Sequence, residues 1–172
     1  MKSNTMKTTW KTLFAVLISA TILSCQKDQK NVPIQIQLTD NPVPFDSVMI
    51  HIQDIRVKLN KDDAGWIDID AKDTTVNLLD FQNGIHMVIA QDEVPQGVLK
   101  EVRFILGDGN YVVVNGTRYP MQTPSAEEAG LKIKIDKHLG ETLNTFLLDF
   151  DAELSVKEET GGYKLMPVIK LK

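Results

Sequence analysis

The side chains of this 172-residue chain best placed to do chemistry are Asp149, Asp151 and Glu153. They occupy alternate positions of Thr145–Val156 (TFLLDFDAELSV), interleaved with Phe150, Ala152 and Leu154. Period-two alternation is the mark of a half-buried β-strand. On such a strand the three carboxylates share one face, with neighbours about 6.5–7 Å apart. Oxygen ligands clustered in this way could hold Ca²⁺ under a closing loop, with Asp108 and Asn110 of a glycine-rich turn helping. A hydrolase using Asp149 and Asp151 would need a pocket around them and a raised pKa on one. The plainer expectation is a solvated outer face balanced by Lys132 and Lys134 of a neighbouring strand. Asp40, in Leu38-Thr39-Asp40, is a ligand-binding candidate too. Its simpler role is to accept backbone N–H groups in the turn before Pro42.

Other chemical signatures are weak. His51, His86 and His138 lie in no zinc-ligand spacing. No GxSxG elbow occurs, and Gly107-Asp108-Gly109 does not open a helix as a phosphate loop would. Asn60–Gly65 starts like a calcium loop, but Ala64 stands where an oxygen ligand belongs, so it reads as a turn. The pattern is that of a non-catalytic module.

The N-terminus gives an address. Lys2, Lys7 and Lys11 precede the apolar run Leu13–Leu23, which is too short to span a bilayer and right for a signal-peptide core. Ile22-Leu23-Ser24-Cys25 follows, a bacterial lipobox with cleavage expected between Ser24 and Cys25. Met1 and Met6 both provide a workable start. Cys25 is the only cysteine, so no intrachain disulfide can form and its thiol is free for acylation. The expected division is a signal peptide over 1–24, a polar tether over 25–32 and one domain over 33–172. That makes the protein an outer-membrane lipoprotein of the cell envelope, facing the periplasm or the surface. Residues 25–172 carry 16 basic and 23 acidic side chains, a formal net charge of −7. That balance argues against nucleic acid or anionic lipid as a partner of the domain's face. Lys27-Asp28 faintly resembles the charged tags that send some lipoproteins to the surface.

The elements that must position the carboxylates are strands. Ile34–Leu38 alternates, with Pro33 fitting only at its start. Ser47–Leu59 changes phase, Val48, Ile50 and Ile52 giving way to Ile55, Val57 and Leu59, so a β-bulge is expected near Gln53-Asp54. Trp66–Asp70 and Thr75–Leu79 read as short strands, with Trp66 a core anchor. Ile85–Gln91 reads as an irregular strand, and Val98–Leu106 as a strand apolar on both faces. Tyr111–Met121 is a hairpin closed by Asn115-Gly116 in a type I′ turn. Leu131–Ile135 has one wet face. Thr145–Val156 is the long central strand, and Tyr163–Lys172 an edge strand interrupted by Pro167. Short strands and frequent turns predict an all-β antiparallel sandwich.

An ordered set of segments carries a family likeness: Leu38–Pro42, Ser47–Val57, Gly65-Trp66, Val76–Leu79, Pro95–Leu106, Thr123–Ser125 with Gly130–Ile133, Leu148–Ala152 and Tyr163–Ile169. Together they resemble the bacterial lipoprotein family catalogued as domain of unknown function 4382. The resemblance implies a lipid-anchored β-sandwich, transthyretin-like or immunoglobulin-like, and supplies no activity. Ala126 stands where family members often have Gly. The expected function is non-catalytic recognition of a surface glycan or protein, which calls for exposed aromatics such as Trp66 and Tyr111. A periplasm-facing accessory subunit, pairing through an uncovered edge strand, is the alternative.

Overall fold

The computed structural model describes residues 30–60, 65–123 and 131–172. Cys25, Lys27-Asp28, most of the Asn60–Gly65 turn and Pro124-Ser125-Ala126 lie outside the described residues. The first strand, β1 (Asn31–Thr39), begins two residues inside the expected tether. It buries Val32, Ile34, Ile36 and Leu38, as its alternation requires.

Two sheets enclose one core. The smaller places β1 between β5 (Met87–Pro95) and β10 (Asn144–Phe150), with β13 (Ile169–Leu171) beyond β10. The larger is centred on β2 (Ser47–Leu59). Along one side of β2 run β6 (Val98–Leu106) and β7 (Tyr111–Val114), which act as one interrupted antiparallel partner. The other side takes β3 (Ile67–Asp68) and β4 (Thr74–Asn77). Outside β6 lies β9 (Leu131–His138). Outside β7 lie β8 (Thr117–Gln122), β12 (Gly162–Leu165) and β11 (Val156–Glu159) in turn. Phe104 and Phe150 are the largest fully buried side chains between the layers.

The all-β sandwich-like class is as expected, but the sheets are mixed rather than antiparallel. β1 pairs parallel with β10, and β8 parallel with β12. Parallel neighbours need a long crossover, and nothing in a strand's own periodicity announces one. Local signals fare better. The register of β2 against β6 shifts between Ile52 and Asp54, leaving Gln53 exposed and Val48, Ile50, Ile52, Ile55, Val57 and Leu59 all buried. Asn115 (φ 50°) and Gly116 (φ 75°) both adopt the left-handed conformation of a type I′ turn, and the Gly116 N–H donates to Asp46 at 2.7 Å.

Three strand expectations are corrected. β10 stops at Phe150, and Ala152–Ser155 is a single helical turn, α1. The expected strand over Ile85–Gln91 is instead Met87–Pro95, with Ile85 and His86 left in a loop after the 3-10 turn Leu78–Phe81. Tyr163–Lys172 is two strands in different sheets, because Pro167 cannot donate to a ladder and the chain crosses over there. Trp66 is also not in the core. It is half-buried on the outer face of the larger sheet, with the Arg103 guanidinium 4.1 Å from its ring centre.

Candidate functional site

Because β1 and β10 run parallel, their C-terminal ends emerge side by side, Thr39 opposite Asp149. This brings Asp40, Asp149 and Asp151 to one end of the smaller sheet. It does not bring Glu153 with them on a common strand face. Asp149 is the last polar residue of β10 and is 8% exposed. Asp151 is the N-cap of α1, its Oδ1 accepting the Leu154 N–H at 2.9 Å. Glu153 is exposed on the helical turn. The three-carboxylate outer face is therefore absent, for a local reason. An Asp followed by Ala, Glu and Leu is a good N-cap before strong helix formers, and that preference overrides the alternation. Asp-Ala-Glu-Leu was the signal in the sequence that could have found it.

Lys170 of β13 and Lys172 just beyond it, not Lys132 and Lys134, face these carboxylates. Lys172 Nζ is 3.5 Å from Asp149 Oδ2 and Lys170 Nζ 3.5 Å from Asp151 Oδ2. Asn41 Nδ2 also donates to Asp149 Oδ2, at 3.0 Å. Lys132 and Lys134 belong to β9 of the other sheet.

Asp40 is 2% exposed. Its Oδ1 accepts the N–H of Ala152, 112 residues away, at 3.0 Å, so the carboxylate fastens β1 to α1 rather than merely shaping its own turn. Its Oδ2 and Asp149 Oδ1 are buried with no hydrogen-bond partner. Burial pushes the Asp40 carboxyl above its ordinary range, and the neighbouring Asp149 charge pushes the same way. The Ala152 and Asn41 N–H groups and the Gln82 amide pull in the other direction. Thr39 Oγ1 lies 2.8 Å from the Phe81 carbonyl and 3.0 Å from that of Ile85, tying the 78–86 segment to the same end. Among the described residues, no group of three or more His, Cys, Asp or Glu is arranged to hold a metal ion.

Asp108 and Asn110 lie elsewhere, in the turn between β6 and β7. Asn110 is 2% exposed and serves the backbone: its Oδ1 accepts the His51 N–H at 2.7 Å, and its Nδ2 donates to the Gly107 carbonyl at 2.7 Å. A Cβ on Gly107 would collide with the His51 ring, so only glycine lets strand and imidazole approach this closely. Asp108 contributes its carbonyl, 3.1 Å from His51 Nδ1. His51 Nε2 lies 2.7 Å from Asp73 Oδ1.

Bonding to Asp73 raises the His51 pKa above 6.5. Partial burial opposes this, and the Asp108 carbonyl and the charges of Asp73 and Asp108 assist it. A raised histidine pKa gives stability that is complete below the unfolded value and is lost as pH rises through the folded one. Asp73→Asn should lower the His51 pKa in an NMR titration, with little change in stability because Asp73 is 70% exposed. An unchanged titration would show that Asp73 is not its partner in solution.

The loops of the Asp40 end carry an apolar surface that sequence reasoning did not find. Ile85 (58% exposed), Leu154 (43%) and Met166 (49%) are three of the four large apolar side chains exposed among the described residues. Ile85 is tied to Thr39. Leu154 sits in α1, and the Met166 N–H donates to the Ser155 carbonyl at 2.7 Å. Local patterning placed Ile85 and Leu154 in strands, which hid them. The fourth, Leu143, precedes β10 at the opposite end.

Residues 31–167 match the model of a family described as a domain of unknown function, DUF4382. No curated protein and no solved structure matches the chain.

Proposed function

The chain belongs to the DUF4382 family, which brings no assigned activity, and we propose that it is a lipid-anchored envelope module that docks a partner protein through the loops of its Asp40 end. The observation that carries this is polarity. The tether enters at Lys30, whose carbonyl accepts the Gln96 N–H at 2.8 Å, beside the β5–β6 turn. The apolar loops lie at the other end of β1, nine residues and about 30 Å away. A chain acylated at Cys25 would hold its tether end at the membrane and present Ile85, Leu154 and Met166 away from it. Exposed aliphatic side chains on loops carried by a rigid scaffold suit a protein partner. Glycan recognition draws less support, since Trp66 and Tyr111 each have an arginine stacked on the ring.

Two measurements test the reading. Labelled palmitate should enter the wild-type protein and not Cys25→Ala; no label in either overturns the anchor. A photo-crosslinking amino acid at position 85 or 154 in intact cells should give a discrete adduct with another protein. The same probe at Thr142, exposed just before β10 at the tether end, should not. Equal adducts at all three positions, or none at 85 and 154, would sink the docking surface.

A further inference from the structure

The outer face of the larger sheet carries an arrangement that the net charge of −7 conceals. Across β2, β6 and β9, Arg56 is the direct partner of Arg103, and Arg103 of Lys132. Three cations thus stand in one row. One step nearer the tether, Lys58 faces Glu101, which faces Lys134. Like charges directly opposite one another destabilise a sheet, and here the repulsion runs across three adjacent strands. Asp54 and Asp68 pair with Arg56. Among the described residues, Arg103 has cations on both sides, a buried Nε with no hydrogen-bond partner, and the Trp66 ring beneath its guanidinium. Lys132 and Lys134 are exposed. The β2, β6 and β9 ends beside this face are also the tether end: the Asn60 N–H donates to Val98, and the Leu139 N–H to Gly97.

We propose that this face is an anion-binding surface that rests on the phosphate-bearing headgroups of the membrane holding the lipid anchor. The choice of membrane rests on the anchored reading above; the anion preference rests on the row itself. Residues 25–29 would reach at most about 18 Å, so the corner bearing Lys58, Lys134, Arg103 and Lys132 could not leave the neighbourhood of the headgroups. Asp149, Asp151 and Glu153 lie at the other end of the smaller sheet, several Debye lengths away at physiological salt, and do not cancel the local field. Basic side chains near an anionic surface add attraction residue by residue.

The test uses the mature chain with Cys25→Ser and flotation with vesicles of phosphatidylcholine, with or without phosphatidylglycerol. Binding is expected only with phosphatidylglycerol, and it should weaken as salt rises. The double variant Lys132→Glu, Lys134→Glu should bind roughly tenfold more weakly or worse. Lys157→Glu with Lys164→Glu makes the same charge change on β11 and β12, at the far side of the sheet, and should bind as the parent does. The proposal is overturned if the parent does not bind, if both double variants lose binding equally, or if inorganic phosphate displaces the protein more than chloride of equal ionic strength, which would mark a small-anion site. Failure here with palmitate labelling intact removes the face and leaves the anchor; loss of labelling removes the anchor and the choice of membrane and leaves the anion preference.

Discussion

Replacing Asp40 by Ala should destabilise the protein by about 1–3 kcal/mol, while Asp40→Asn at neutral pH should leave stability unchanged or raise it. The alanine variant removes the acceptor of the Ala152 N–H, which is then buried without a partner. The asparagine variant keeps an oxygen for that N–H. It also replaces the unpartnered Oδ2 by an amide donor on the side of the molecule where Asp149 Oδ1 lacks one. The charge itself is a cost, since burial raises the Asp40 pKa from 3.8 and the Asp149 charge adds to the rise. The sign follows from linkage. A carboxyl whose folded pKa exceeds its unfolded value binds its proton more tightly in the fold, so its contribution to stability grows as pH falls through the folded pKa towards 3.8 and is lost as pH rises. Other carboxylates titrate in the same region, so the informative quantity is the difference between wild type and Asp40→Asn. Urea unfolding at a series of pH values should show wild type gaining on the variant as pH falls. Parallel curves, with Asp40→Ala and Asp40→Asn equally destabilised, would mean that the carboxylate's charge costs nothing where it sits.

What could be read from the sequence was what neighbours in the chain decide. The Asn115-Gly116 turn and the β2 bulge are set by residues within a few positions of one another, and both stand where patterning put them. What could not be read depends on distant pairing. Asp40 and Asp149 are brought side by side only because β1 and β10 run parallel, with more than a hundred residues between them. Neither residue's local setting signals the other. Trp66 misled for a related reason: its size suggested the core, but the row that turns Arg103 towards it is assembled from three separate strands.

The end of β10 offers the sharpest test of the fold and the largest expected effect. Were Thr145–Val156 one strand, Phe150 and Leu154 would share its inward face and cost comparable amounts when truncated. The helical turn separates them, leaving Phe150 fully buried and Leu154 43% exposed. Asp151 caps the turn, and Ser155 fixes it to the crossover at Pro167: its hydroxyl donates to the Asp151 carbonyl at 2.5 Å and accepts the Val168 N–H at 2.8 Å. Phe150→Ala should therefore cost about 3–5 kcal/mol, the range for emptying a buried aromatic site, and Leu154→Ala should stay within about 0.5 kcal/mol of wild type. Chemical denaturation of the two variants measures both. Comparable losses would restore the continuous strand and bury Leu154, and with it would go one of the three side chains on which docking at the Asp40 end depends.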